Sequence, residues 1–355
     1  MSVQTEIDRI KNAKTAISTA IASKGVNVPD GTKLDGMATL INSIEAGGGE
    51  VTPPTTPTDG KTRVYIHLEY GRTSPMLGVC PKGTVTVDWG DGTEPDTLTG
   101  TSTTTVKWTP THEYTAPGDY VIALTVEGTM GFYGESNSNQ YSGILRYASG
   151  ADTRNLAYQN AVQKVEVGEG VTSIGSSAFN NCYSLASITI PEGVTRIRNN
   201  AFNNCYSLAS ITIPEGVTSI GSSAFTNCRS LASITIPEGV TSIGDSAFSS
   251  CYSLASITIP EGVTSIGSSA FTNCRPLASI TIPEGVTSIG DNTFNHCYCM
   301  RYYDFTASAS VPALSSTNAF SGIPSDCQML IPATLYDEWS AATNWATYAK
   351  YMVAV

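Results

Sequence analysis

The hydrophobic positions in the second half of the chain recur with a period of 23 residues, the interval from Val171 to Val194. The repeated segment reads VTSIGSSAFNNCYSLASITIPEG in its first copy. Copies begin at Val171, Val194, Val217, Val240, Val263 and Val286, the last being the most divergent. A short fixed period predicts a solenoid, in which each copy packs its apolar face against the next.

Each copy contains two short apolar patterns of the kind that predicts strands. In the first copy the V-T-S-I piece at 171–174 marks one strand. Ile188 and Ile190 alternate with Ser187 and Thr189, so a second strand is expected there with the two polar side chains facing solvent. The P-E-G that follows suits a turn into the next copy.

Between these two strands the pattern predicts one helical turn. Ser176 or Ser177 would cap it, and Ala178, Phe179 and Cys182 would share its inward face. The apolar side chains of one copy cannot offset the cost of ordering its backbone, so a single copy is not expected to fold alone.

Six of the nine cysteines share one position in successive copies. They are Cys182, Cys205, Cys228, Cys251, Cys274 and Cys297. Neighbouring strands lie about 5 Å apart, which leaves disulfides geometrically open. We expect instead a buried, reduced ladder that belongs to the structural core, with no metal ion and no cofactor bound.

The combined pattern, V-x-x-I-x-x-x-A-F-x-x-C-x-x-L-x-x-I-x-I-P, resembles the leucine-rich repeats of BspA-like bacterial surface proteins. The resemblance covers the tandem copies and the partial copies that flank them. It implies a curved parallel solenoid, and usually a role in adhesion or recognition.

The position after each ladder cysteine carries a large amphipathic side chain. These residues are Tyr183, Tyr206, Arg229, Tyr252, Arg275 and Tyr298. The repeat should align them in a column along one edge, and Tyr and Arg are residue types enriched at binding hot spots. The column is therefore the candidate binding site. The alternative is that these side chains only cover the turn.

The chain before the repeats divides into three parts. Residues 1–45 carry apolar stripes at helical spacing and are expected to form a helical segment. Residues 46–61 are rich in Gly, Pro and Thr and are expected to be a linker. The third part, residues 62–129, is described below.

The stretch 1–45 resembles N-terminal segments of phage tail and fibre proteins. The apolar side chains of this stretch are too few for an independent fold, so attachment to other virion proteins or homo-oligomerisation, for example as a trimer, is expected; a self-contained hairpin is the alternative.

Residues 62–129 alternate between apolar and polar side chains, with Gly and Asp turns, as β-strands do. The motifs VDWGDGT at 87–93 and His112-Glu113-Tyr114 resemble the PKD-type immunoglobulin-like β-sandwich. Its acidic residues are not spaced like an EF-hand loop, so a solvated acidic turn is expected rather than a calcium site. These residues are Asp88, Asp91, Glu94 and Asp96.

The predicted protein is thus multidomain: an N-terminal helical segment, an all-β PKD-type sandwich, and a leucine-rich-repeat parallel solenoid over residues 130–306. A half-copy containing Val165 and Val167 would cap the start of the solenoid. Residues 307–355 would form a degenerate repeat and a C-terminal helical cap, with Trp339 and Trp345 over the last copy.

Composition excludes several classes of partner and activity. A net charge of −11 and an isoelectric point near 4.7 disfavour nucleic acid and anionic membranes as partners. No apolar run is long enough for membrane insertion, and the sequence carries no recognisable secretory signal. The three histidines lie in separate contexts and no nucleophile is paired with a base, so no enzymatic activity is expected.

These observations favour a recognition protein. The first interpretation is a phage tail fibre or receptor-binding protein in the virion tail, whose repeats bind a host cell-surface protein or glycan. The first alternative is a secreted or cell-surface bacterial adhesin. The second alternative is an accessory fragment of a carbohydrate-active enzyme, since PKD-type modules often accompany hydrolases.

Overall fold

The computed structural model describes residues 58–69, 73–132, 144–147 and 160–355. The predicted helical segment 1–45 and nearly all of the predicted linker lie outside these described residues. The description below therefore concerns a β-rich N-terminal region and the repeats that follow it.

The N-terminal region is an antiparallel arrangement built around a long central strand. Its strands are β1 (Thr62–Leu68), β2 (Pro75–Asp88), β3 (Asp96–Thr101), β4 (Lys107–Trp108), β5 (Gly118–Phe132) and β6 (Leu145–Tyr147). Strand β2 pairs antiparallel with β3, β4, β5 and β6, and β1 pairs antiparallel with β5. In β1, Val64, Ile66 and Leu68 are buried at alternate positions, as the period-2 pattern predicts.

The motif residues of this region form one packed cluster. The Trp89 side chain is buried, and its indole nitrogen donates to Asp96 Oδ2 at 2.8 Å. The His112 ring stacks on Trp89 with centroids 4.4 Å apart, and Tyr114 donates its hydroxyl to the Trp89 carbonyl at 2.9 Å. The cluster fixes the turn after β2. The assignment of this region to the PKD type stays a prediction.

The repeats form two columns of short parallel strands. The V-T-S-I column contains β8 (Val171–Ile174), β11 (Ser242–Ile243), β13 (Ser265–Ile266), β15 (Ser288–Ile289) and β17 (Ala313–Leu314). Single bridges at Ile197 and Ile220 connect its members between β8 and β11. Each residue pairs with its equivalent in the next copy, for example Ile243 with Ile266, so the pairing register repeats the sequence period.

The second column is formed by the S-I-T pieces. Its strands are β7 (Val162–Glu166), β9 (Ser187–Thr189), β10 (Ser233–Thr235), β12 (Ser256–Thr258), β14 (Ser279–Thr281), β16 (Tyr302–Asp304), β18 (Gln328–Ile331) and β19 (Met352–Ala354). Ladder pairs β7–β9, β10–β12, β14–β16, β16–β18 and β18–β19 are all parallel. The predicted parallel solenoid is confirmed.

The predicted helical turn between the two strands is wrong. The backbone passes instead through consecutive tight turns, with left-handed φ angles of 57° at Ser177 and 61° at Asn181. The physical reason is that only alternate amides bond locally: Cys182 N–H donates to the Phe179 carbonyl, whereas Phe179 N–H donates to Ala201 of the next copy. A helix would leave these bonds between copies unmade.

One predicted side-chain orientation is also wrong. Thr189 is buried, although its equivalents Thr212 and Thr235 in the next copies are exposed. Thr189 lies beside the half-copy, and its carbonyl accepts the N–H of Val167. The first copy is therefore covered at a position where the later copies meet solvent.

The N-terminal region and the solenoid share their strands. Phe132, at the end of β5, pairs in parallel with Ile174 of the V-T-S-I column, and β1 pairs antiparallel with β7. The predicted boundary between residues 129 and 130 thus falls inside β5. The half-copy at 162–167 pairs with the first copy as expected, but its own outer edge would be unpaired without β1.

The last copy ends under a group of short helices. These are a 3₁₀ helix at Ala333–Leu335, α1 (Tyr336–Ala341) and a 3₁₀ helix at Trp345–Tyr351. Trp345 Nε1 donates to the Pro312 carbonyl at 2.7 Å, and Asn344 Nδ2 donates to the Leu314 carbonyl at 2.6 Å. These bonds occupy backbone carbonyls at β17, the last strand of the V-T-S-I column. In the described part of the chain, no helix has the length and apolar character that crossing a bilayer requires.

Candidate recognition surface

A stack of buried phenylalanine rings sets the spacing of the copies. Neighbouring rings are nearly parallel, with centroids 5.3 to 5.5 Å apart. The stack consists of Phe179, Phe202, Phe225, Phe248, Phe271 and Phe294. Phe132 of β5 extends it at one end and Phe320 at the other, with 5.4 Å between ring centroids at both contacts. Residues at equivalent positions are therefore held in register at a nearly constant spacing.

The cysteines lie behind this stack. Each thiol from the second copy to the sixth donates to the carbonyl of the phenylalanine in the preceding copy, as Cys228 Sγ does to Phe202 at 3.3 Å. Burial raises the pKa of the Cys182 thiol to about 12 and that of Cys297 to about 12. Neutral, buried thiols are poor nucleophiles and poor metal ligands.

The residue before each ladder cysteine turns the chain outward. Asn181, Asn204 and Asn227 have left-handed backbones, and Asn204 Nδ2 donates to Asn181 Oδ1 at 2.7 Å. The carbonyl of Asn181 then accepts the N–H of Tyr183 at 2.8 Å in a tight turn. This turn positions the tyrosine at the edge of the solenoid. Asparagine tolerates left-handed φ better than most residues, so the recurring Asn was the available signal that the sequence analysis missed.

The six predicted binding residues are brought together in one continuous column. The Tyr183 and Tyr206 rings stack with centroids 4.7 Å apart and planes 4° from parallel. The Arg229 guanidinium lies 4.3 Å from the Tyr206 ring centroid and 5.9 Å from that of Tyr252. Arg275 lies 5.1 Å from Tyr252 and 5.9 Å from the Tyr298 ring. We call this set the Tyr/Arg column.

The Tyr/Arg column becomes more exposed along its length. Tyr183 and Tyr206 are half-buried, Arg229 and Arg275 are exposed, and Tyr298 is 50% exposed. Because each ring or guanidinium covers the face of its neighbour, the surface presents phenol hydroxyls, ring edges and N–H groups. Such a surface can form directional hydrogen bonds and charge-assisted contacts.

The histidines do not form a reactive site. His67 contacts Asp119 at 2.7 Å on an exposed surface, His112 belongs to the Trp89 cluster, and His296 lies near Tyr298 with ring centroids 5.3 Å apart. Among residues 58–69, 73–132, 144–147 and 160–355, no three His, Cys, Asp or Glu side chains converge as a metal site would need.

The acidic turn after β2 is internally bonded. Asp91 Oδ1 accepts hydrogen bonds from the Thr93 amide and hydroxyl, and Asp91 Oδ2 lies 2.8 Å from His112 Nε2. Burial opposes ionisation of Asp91, but these hydrogen bonds outweigh it, so the pKa of this carboxyl lies below its usual value. Asp91 and Asp96 thus already have protein partners.

Comparison with known protein families identifies the type of repeat. The family model described as "BspA type Leucine rich repeat region" matches six copies, over residues 154–274 and 195–329. A search of curated protein sequences gives no significant match.

Several solved structures resemble the chain. A leucine-rich repeat protein of T. pallidum is 34% identical over 44% of this chain and 72% of its own, with a TM-score of 0.41. One from Bacteroides ovatus is 25% identical over 57% of this chain and 67% of its own, with a TM-score of 0.35. A leucine-rich cell surface protein of Faecalibacterium prausnitzii is 22% identical over 58% and 85%, with a TM-score of 0.24.

Proposed function

The chain belongs to the BspA-type leucine-rich repeat family, and from that premise we propose that it is a non-enzymatic recognition protein whose Tyr/Arg column binds a cell surface. The observation that carries the proposal is the column itself. Six large amphipathic side chains lie in register on one edge, whereas the phenylalanine and leucine side chains of the copies are buried.

Two physical arguments support the column as the contact surface. Its side chains are held by stacking on one another, so less side-chain entropy is lost on binding than for free surface residues. Tyr and Arg also combine a large contact area with hydrogen-bond donors. The target we propose is a host cell-surface protein or glycan.

A triple substitution tests the proposal. Changing Tyr206, Arg229 and Tyr252 to Ser removes the centre of the column but none of the buried core. The expected result is at least about tenfold weaker binding of the full chain to target cells, on the order of 1.4 kcal/mol or more. Flow cytometry with labelled protein measures this, and circular dichroism verifies the fold.

The matched control changes three glutamates in the same three copies. Glu215, Glu238 and Glu261 are exposed in the P-E-G turns, and changing them to Gln should leave cell binding nearly unaltered. If the folded triple Ser variant binds cells as well as the native protein does, the cell-binding site does not lie on the Tyr/Arg column. The outward S-I-T face and the C-terminal helices would then be the next surfaces to test.

The setting in which the column is displayed is the second part of the proposal. We propose a phage tail fibre or receptor-binding protein in the virion, attached to other tail proteins through residues 1–45. A secreted or cell-surface adhesin is the alternative, and the repeat family favours it. An accessory fragment of a carbohydrate-active enzyme is the second alternative, and the absence of enzymatic activity remains a prediction.

Light scattering after gel filtration separates the two settings. A trimer that becomes a monomer when the chain begins at Thr62 supports the tail fibre, because residues 1–45 would then hold the assembly together. A monomeric full chain supports the adhesin. A trimer that persists in the shortened chain contradicts the role given to residues 1–45.

A further inference from the structure

The charge on the solenoid is segregated along each copy. The stretches from each stacked phenylalanine to the start of the following S-I-T strand contain no Asp or Glu in any of the six copies. These stretches are 179–186, 202–209, 225–232, 248–255, 271–278 and 294–301, and they carry Arg229, Arg275 and Arg301. In a chain with a net charge of −11, the edge that bears the Tyr/Arg column is therefore locally cationic.

The arginines of the column have no acidic partner. In the described part of the chain, neither Arg229 nor Arg275 lies within ion-pair distance of a carboxylate. Their guanidinium groups contact tyrosine rings instead, at 4.3 Å and 5.1 Å for the nearer ring of each. These cation–π contacts leave the guanidinium N–H groups available to pair with an anion.

The spacing of the two charges follows from the fold. Arg229 and Arg275 lie two copies apart, and because strands are spaced by about 5 Å their Cα atoms are separated by roughly 10 Å. Tyr252 lies between them, with its ring exposed. The edge thus alternates a cation with a phenol at a constant rise.

The alternation of arginine and tyrosine along this edge favours an extended, anionic ligand. An extended polymer that carries an anionic group on each unit can present every second group to the two guanidinium groups, provided that one unit advances by about one copy. Because both guanidinium groups lie over the Tyr252 ring, the parts of Tyr252 left between the charges are its hydroxyl and its ring edge, which suit sugar hydroxyls better than apolar side chains. Ser230 and Ser253 add exposed residues beside Arg229 and Tyr252.

We propose that the Tyr/Arg column binds an extended acidic polysaccharide, with Arg229 and Arg275 pairing carboxylates on alternate sugars. This inference rests on the proposed recognition function and names its ligand class. The tyrosines hold the guanidinium groups in place and hydrogen bond to the sugars between them.

The test measures binding of the full chain to polygalacturonate, with uncharged dextran as the comparison polymer. Isothermal titration calorimetry should detect binding of polygalacturonate only, and the affinity should fall with added salt. The double variant Arg229→Gln with Arg275→Gln should weaken it at least about tenfold. Lysine at both positions keeps the charge but loses the planar fork, so it should restore part of the affinity.

The matched control is Arg196→Gln with Arg198→Gln. This pair removes the same charge from the second copy but lies on the V-T-S-I column, so polygalacturonate affinity should stay within about twofold of the native protein. An equal loss in both double variants would show a nonspecific charge effect and overturn the proposal. Thermal unfolding verifies that all variants are folded.

The remaining outcomes are also decisive. No binding of polygalacturonate, or binding that ignores Arg229 and Arg275, overturns the proposal. Tighter binding of polyphosphate or single-stranded DNA through the same arginines overturns the assignment to a polysaccharide. Loss of cell binding in the triple Ser variant without any polygalacturonate binding would sustain the recognition function and overturn this inference alone.

Discussion

At the scale of single residues, each repeated position has one physical role. Phenylalanine sets the spacing between copies, cysteine fills the space behind the ring, and asparagine accepts the left-handed backbone that turns the chain outward. Tyrosine or arginine then follows on the surface. The near identity of the copies reflects this division, because a change at a buried position is felt by the copies on both sides.

The buried cysteines should matter through packing. Changing Cys251 to Ser keeps a donor for the Phe225 carbonyl but places a hydroxyl in an apolar interior, so we expect a loss of about 1 to 2 kcal/mol in the free energy of unfolding. Cys299 is exposed, and its change to Ser should cost less than about 0.5 kcal/mol. Urea unfolding of both variants measures the difference; equal losses would contradict the buried role.

At the scale of elements, hydrogen bonds between residues far apart in the sequence override the local helical pattern. The turn between the strands resembles a helix in sequence, but its amides at alternate positions bond to the next copy. Local propensity could not reveal this, because the competing acceptor lies 22 residues away, as Ala201 does for Phe179. The strands, in contrast, follow their apolar alternation closely.

The Asp91 turn should make the N-terminal region sensitive to acid. The pKa of Asp91 is lowered in the folded protein, so its contribution to stability is present above the unfolded carboxyl pKa, near about 4, and is lost as pH falls through the lower folded value. Unfolding midpoints measured from about pH 6 to about pH 3 should therefore fall more steeply in the native protein than in Asp91→Asn. Parallel curves would show that the turn does not depend on this carboxylate.

At the scale of the whole molecule, the N-terminal region and the repeats act as one body of stacked strands. The sequence predicted the parallel register, because a 23-residue period leaves little choice of partner. It did not predict the union of the two regions. The contacts that join them, such as Tyr65 to Glu166, connect residues 101 positions apart, and Tyr65 lies outside the repeats, so the 23-residue period carries no information about its partner.

The geometry of the Tyr/Arg column was predictable only in part. Its six positions follow from the period, since equivalent residues align in any solenoid. The contact of each guanidinium with two tyrosine rings depends on side-chain rotamers that a pattern does not encode.

Because the N-terminal region and the repeats share strands, a substitution in the N-terminal region should destabilise the repeats. Phe132 belongs to β5 but packs on Phe179 of the first copy, so changing it to Ala should destabilise the repeats by about 3 to 5 kcal/mol. Hydrogen exchange at residues 171–190 should rise in this variant. Val121 is 36% exposed in the same strand, and Val121→Ala should leave that exchange nearly unchanged. Unaltered exchange in Phe132→Ala would mean that the regions are independent domains.

If the Tyr/Arg column is the contact surface, oxidative footprinting of the protein bound to its target cells should reveal it. Hydroxyl radicals report the exposure of each side chain, and Tyr252 and Tyr298 are exposed in the free protein. We expect both to become protected on binding, while Tyr302, which is exposed on β16 of the neighbouring strand column, keeps its reactivity. Protection of Tyr302 with undiminished oxidation of Tyr252 and Tyr298 would contradict this assignment of the contact surface.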